Sequence, residues 1–273
     1  MTSSLSTAAP SRVHQSNWAG LLGLGFFTDF FDTLGIGSFA TTTAVLRLFH
    51  LVEDENIPGT LNVGHTIPTM LECVLFIIAL GGLIDIPTIT SMVLAGGVGA
   101  WFGAGVVAHL PRRTIQRAMA IALVATAGFM TLRLLTSLSL DEGTIGFGGM
   151  TLAIAVFASL VIGSLISLGI GNYAPTMAVT YMLGMNQKAV FPIMAATASL
   201  ILPVAGYRFY RSGRFSKRVA TGLAIGGIPG VLVAVYIVKE LPLLAVKWIV
   251  VAVLLYTAAT LWRSSLIEGR TAA

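Results

Sequence analysis

Residues 33–42 read TLGIGSFATT, and residues 167–176 read SLGIGNYAPT. Both carry Leu-Gly-Ile-Gly, an aromatic two residues on, and then alanine, at an offset of 134 positions (167 − 33). The likeness widens to LGIGSFATTTAV at 34–45 and LGIGNYAPTMAV at 168–179, and Pro58 and Pro192 keep the same offset. Farther on, LAGGVGAWFG from Leu94 loosely matches LAIGGIPGVL from Leu223, and Leu110-Pro111 matches Leu241-Pro242. The chain reads as two copies of one unit, each opening on a glycine-broken apolar segment.

Composition sets the solvent. Of 273 residues, 56% are hydrophobic and 10% charged, against about 25% charged in a soluble domain. So little charge cannot coat a water-facing surface of this size, and the bilayer is the better solvent. The excess of 16 basic over 11 acidic residues reads as loop charge on one side of a membrane, not as a nucleic-acid surface. Residues 1–17 are polar, hold one arginine and no apolar core, and read as a tail, not a signal peptide.

A helix crosses the hydrocarbon with about 20 residues. Eight segments qualify, at 18–49, 57–84, 86–108, 118–132, 143–187, 189–207, 219–238 and 241–262. The expected fold is therefore an all-α integral membrane protein of about eight transmembrane helices in two four-segment repeats. Repeat 1 covers 18–138 and repeat 2 covers 150–263, with a linker at 139–149 and a tail at 264–273. Two segments, 18–49 and 150–183, are too long for one straight crossing at 1.5 Å per residue. Each contains Gly-Ile-Gly, where a break is easiest.

Broken backbone survives at membrane depth only where protein or a wet cavity satisfies it. Paired breaks in two halves point to a substrate site between the halves, and the helix N-termini there suit an anion. The expected contacts are Gly35, Gly37, Ser38, Thr41 and Thr42 from the first break, and Gly169, Gly171, Asn172, Tyr173 and Thr176 from the second. Asn62 and His65 complete the set. Asp29, Asp32 and Glu72 are ionisable groups inside the spans, which makes them candidates for carrying protons. Shifted by 134, Asp29, Asp32 and Glu72 fall on Gly163, Ile166 and Gly206, so any proton coupling belongs to repeat 1.

The stretches FFDTLGIGSFATTTAV, IPGTLNVGHTIPTMLE and LGIGNYAPTMAV, with the duplicated layout, resemble the TauE/SafE family of sulfite-exporter-like permeases. The resemblance implies a multi-pass inner-membrane permease for sulfite, an organosulfonate or a related organic acid, with export as the expected direction. The expected partners are the anion, protons and the lipid bilayer, with no nucleic acid. A channel is the main alternative. An enzyme is the lesser one, since His14, His50, His65 and His109 are scattered and form no metalloprotease motif. No cofactor or metal site is expected.

Two topologies fit. Eight simple crossings put the basic run 208–218 in the cytoplasm and Arg112, Arg113 and Arg117 outside, against the positive-inside rule. If the broken segments turn back as re-entrant hairpins, the two repeats are inverted.

Overall fold

The computed structural model describes residues 17–106, 112–135, 143–240 and 242–271. Residues 1–16 of the expected tail and 139–142 of the expected linker lie outside them. Among the described residues the chain is helical, with one isolated β-bridge between Thr144 and Met185. Ten α-helices follow one another: α1 (Trp18–Thr33), α2 (Ser38–Leu48), α3 (Ile57–Leu80), α4 (Ile86–Val106), α5 (Arg112–Leu135), α6 (Gly149–Leu165), α7 (Tyr173–Met182), α8 (Gln187–Ser212), α9 (Lys217–Glu240) and α10 (Leu243–Thr271). The last helix runs through residues 264–271, set apart above as a tail.

The eight hydrophobic segments resolve differently from eight crossings. Six helical stretches among the described residues are long and apolar enough to span a membrane: 54–83, 86–103, 149–168, 188–212, 217–237 and 248–267. This is a multi-pass membrane protein. The first hydrophobic segment is instead cut into pieces of 16 and 11 residues, about 24 and 16 Å long. Its break is built by Gly35 and Gly37, both at positive φ (94° and 84°), where a side chain is strained. The amides of Gly35 and Ile36 fold back onto the carbonyls of Asp32 and Phe31, which closes the end of α1. In the second break, a 3₁₀ turn at Ile166–Leu168 ends on left-handed Gly169.

Long-range contacts fix which way each piece points. Arg218 stacks over Trp18 at 5.3 Å, and the Ser216 amide donates to Thr60 Oγ1 at 2.9 Å. The starts of α1, α3 and α9 therefore share one end of the molecule. Since α3 starts where α1 started, α2 must turn back toward that end. Arg47 near the end of α2 pairs with Asp54 just before α3 at 3.2 Å, as this requires. The Thr144 amide donates to the Gly184 carbonyl and the Asn186 amide to the Thr144 carbonyl, and the Phe147 amide donates to Thr88 Oγ1 at 2.8 Å. The starts of α4, α6 and α8 thus share the opposite end, and α7 turns back there. The two broken segments are helical hairpins that enter from opposite ends.

This arrangement regroups the charge. Arg117 stacks over Trp262 at 5.6 Å, and Arg208 donates to the Trp101 carbonyl. Arg113, Arg117, Arg208, Arg211, Arg214, Lys217 and Arg218 consequently gather at the end where α1 begins, here called the basic end. The conflict that eight simple crossings create at Arg112–Arg117 disappears. Single cysteines at Ser212 and Arg113, in a Cys73→Ser background, are expected to react with an impermeant thiol reagent from one side of the membrane. Thr144→Cys is expected to react from the other. Labelling of 144 and 212 from the same side would overturn the hairpin topology.

The six most extensive helix pairings map onto one another when the first five helices are exchanged for the last five. The closest pairs are α1 with α9, α6 with α4, α3 with α8, α5 with α10, and α3 with α9 beside α8 with α4. Glycines permit the first two. Gly222, Gly226 and Gly230 of α9 lie against the backbone and Cβ atoms of Leu21, Leu22 and Phe26, and Gly96, Gly99 and Gly103 of α4 lie against Leu160, Gly163 and Ser164. Small residues four apart let helix backbones approach where lipid gives no hydrophobic drive. Exposed side chains such as Phe27, Ile78, Leu94 and Phe157 face outward, as lipid-facing residues do.

Candidate functional site

Both hairpins deliver a helix N-terminus to mid-depth. A buried cavity of about 10 Å³ lies between them, lined by Asp32, Gly37, Ser38, Phe39, Thr69, Gly171, Asn172, Tyr173, Ala198 and Leu202. That is roughly the room one water needs. Its walls come from α1 and α2, from the middle of α3, from the start of α7 and from the middle of α8. No lysine or arginine lines it, so dipoles and neutral donors set its polarity.

The first hairpin is held by its own carboxylate. The Ser38 amide, first in α2, donates to Asp32 Oδ1 at 2.6 Å, an N-terminal cap made from across the break. Gly37 precedes it and offers no side chain. On the second hairpin, Asn172 stands in the position of Ser38 (38 + 134). Its side chain turns away from α7 and donates weakly to Thr197 Oγ1 at 3.3 Å and the Met194 carbonyl at 3.5 Å.

Behind this cavity lies a buried polar chain. His65 Nδ1 is 2.8 Å from Asp29 Oδ1, and His65 Nε2 is 3.2 Å from Thr42 Oγ1. The carboxylate can only accept, so the Nδ1 proton points at Asp29 and Nε2 meets the hydroxyl. Thr33 Oγ1 donates to Glu72 Oε2 at 3.3 Å, and the Tyr173 hydroxyl interacts with the Glu72 carboxyl. Asp29 Oδ2, Thr69 Oγ1 and Glu72 Oε1 are buried and make no hydrogen bond. Such groups are rare and costly in a folded protein, and of these Thr69 lines the inner cavity.

An Asp–His–Thr chain has the connectivity of a nucleophilic triad. Asp29, His65 and Thr42 are buried, however, and line neither this cavity nor the larger one described next. The chain is a buried hydrogen-bonded network that joins α1, α2 and α3. Among the described residues no cluster has the makings of a metal site.

A second space of about 770 Å³ opens toward the basic end. It is lined by the broken segments on one side (Gly37, Phe39, Gly169, Gly171, Tyr173) and by α5 and α10 on the other (Gln116, Tyr256, Arg263), with Arg47 and Asp54 near its mouth. Phe39 and Tyr173 border both spaces. They are equivalent positions in the two halves (39 + 134 = 173), and with Gly37 and Gly171 they lie where the vestibule meets the inner cavity.

The expected site residues therefore sort into groups. Asp32, Gly37, Ser38, Gly171, Asn172 and Tyr173 meet at the inner cavity, and Gly169 lines the vestibule. Asp29, Thr42, His65 and Glu72 form the network behind. Gly35 shapes the turn and packs near Met177. Thr41 donates to the Ser38 carbonyl at 2.9 Å, and Asn62 donates to the Pro58 carbonyl at 2.8 Å. Neither these two nor Thr176 reaches either space. Thr69 and Phe39 were missed. The 134-residue offset pairs Phe39 with Tyr173, a signal that marks Phe39; Thr69 shares a helix face with His65 and Glu72 but has no mark of its own.

Fold and site define a class, a multi-pass helical membrane protein with a buried polar cavity between two oppositely inserted hairpins. No family model, curated protein or solved structure matches the chain.

Proposed function

We propose that this protein is a permease for a small anion, of the class of sulfite, an organosulfonate or a related organic acid, in a bacterial inner membrane. The observation that carries this is the meeting of two hairpin helix N-termini on a buried cavity with an orphaned hydroxyl. Helix N-termini favour negative charge, and discontinuous helices meeting at mid-depth are the usual site of transporters. The resemblance of the glycine-broken motifs to the TauE/SafE family points to the same substrates.

In this reading the chain is two inverted four-segment repeats, each a broken hairpin followed by three crossings, which gives eight membrane segments. The basic end is cytoplasmic by the positive-inside rule, so the vestibule opens to the cytoplasm. The space narrows from about 770 Å³ in the vestibule to about 10 Å³ in the inner cavity, and this favours a carrier with closing gates over a channel with a wide continuous pore. An anion crossing without a compensating proton is driven outward by an inside-negative potential, by about 2.3 kcal/mol per charge per 100 mV. Uptake and efflux of sulfite, methanesulfonate and small carboxylates in proteoliposomes tests the proposal. No flux above protein-free vesicles for any of them would refute it, and conductance far above carrier turnover would favour the channel.

Phe39 and Tyr173 act as the cytoplasmic gate in this reading. Phe39→Ala is expected to widen the passage between vestibule and cavity. In a Cys73→Ser background, Thr69→Cys is expected to resist a cytoplasmic-side thiol reagent and to react at least about tenfold faster once Phe39→Ala is added, in proportion to the open population. Equal rates in both backgrounds would remove the gate.

A further inference from the structure

We propose that Asp32 is a tethered competitor of the substrate: its carboxylate occupies the Ser38 amide at the start of α2, and an external anion takes that place only when Asp32 carries a proton. This rests on the anion-permease reading and adds its coupling.

The two hairpins differ at one point. Each brings a helix N-terminus to the inner cavity. At α2 that terminus is already filled by an anion, since Ser38 N–H donates to Asp32 Oδ1 at 2.6 Å. At α7 the residue equivalent to Asp32 is Ile166, and no side chain caps the helix. The cavity also offers Thr69 Oγ1, buried and without a hydrogen-bond partner, and the Tyr173 hydroxyl, which interacts with Glu72; both can donate to a ligand oxygen.

Charge and volume make the two anions exclusive. The titratable groups facing Asp32 are Asp29 on α1, His65 and Glu72 on α3, and Tyr173 on α7. His65 is the one group among them that can be cationic, and it is committed to Asp29 at 2.8 Å. On α8 the cavity wall is Ala198 and Leu202, and α9 brings Gly227 against Asp29. No cation is free to balance a substrate anion beside an ionised Asp32. Nor is there room for a sulfonate or sulfite in about 10 Å³ until the Asp32 carboxyl swings aside.

The exchange balances simply. A proton from water adds to an Asp32 carboxylate oxygen and weakens its hold on Ser38 N–H. The substrate oxygen accepts that N–H and the Thr69 and Tyr173 hydroxyls. When the anion leaves, Asp32 returns its proton to water and recaps α2. One proton travels with each monoanion, so net charge movement is zero.

Methanesulfonate, a monoanion across the neutral range, is the probe, with binding to the purified full chain followed by thermal stabilisation and by an indicator dye. Wild type is expected to take up about one proton per anion bound, and its Kd to weaken about tenfold per pH unit above the ionisation of Asp32. Asp32→Asn, which can still accept from Ser38 N–H, is expected to give a pH-independent Kd, no proton uptake, and methanesulfonate-driven current in proteoliposomes. Wild-type binding that is flat with pH and takes up no proton overturns the competition and leaves the permease reading intact. So does a folded Asp32→Asn protein that keeps the wild-type pH dependence or loses binding at every pH. If methanesulfonate, sulfite and small carboxylates all fail to bind wild type, the permease reading falls and the competition with it. Should Asp32→Asn not fold, proton uptake by wild type decides the matter.

Discussion

His65→Ala is expected to be the most damaging single substitution in the buried network, lowering stability by about 3–5 kcal/mol. Removing one partner of a buried pair strands the other. Asp29 is buried, its Oδ2 already makes no hydrogen bond, and its Oδ1 has His65 as a partner at 2.8 Å. Alanine would also leave Thr42 Oγ1 facing an empty space. The check is the thermal unfolding midpoint of the purified protein in detergent. Adding Asp29→Asn should restore part of the loss, because the stranded charge is gone, and that coupling separates a charge effect from simple loss of packing. A His65→Ala protein as stable as wild type would mean that the pair contributes nothing.

The second large effect is expected at the hairpin tips. Gly37→Leu and Gly171→Leu should each abolish flux while membrane insertion continues. Both glycines border the inner cavity and the vestibule, so a leucine fills the passage from either hairpin. At Gly37 the backbone adds a second penalty, since φ is 84° and an L-residue there costs about 1–2 kcal/mol. Gly171 carries the steric effect alone, and its neighbour is the Phe39 side chain. Membrane-fraction yield and proteoliposome flux measure the two outcomes separately. Wild-type flux in both variants would move the substrate path away from the breaks.

The existence of the breaks was legible because glycine pairs recur at a fixed offset inside segments too long to be straight. Their direction was not. Hydropathy has no sense of direction, and SFATTTAVLRL reads the same whether α2 continues across or turns back. The turn shows in pairings between distant residues, Thr42 with His65 and Arg47 with Asp54, which no local pattern encodes. The candidate hydroxyls show the same limit. Thr41 lies two residues from Phe39, yet its hydroxyl is spent on the Ser38 carbonyl, as threonine commonly does in helices. Thr69 carries no charge and attracted no notice, yet it sits at the cavity between His65 and Glu72. Ionisable residues in apolar sequence announce themselves by their cost; a neutral hydroxyl does not.

The pairing of α1 with α9 has a consequence for how the chain is made. Phe26 packs against Gly230, 204 residues later (230 − 26). At about 5–20 residues per second, the ribosome needs roughly 10–40 seconds to supply that partner. Through this interval the first hairpin holds Asp29 without the helix that covers it, at a depth where lipid offers no hydrogen bonds. The second hairpin has no such wait, because its partner α4 is already made when α6 emerges. The nascent chain is thus lopsided in time although its helices are balanced in space, and its first forty residues are the part that most needs shelter by the insertion machinery.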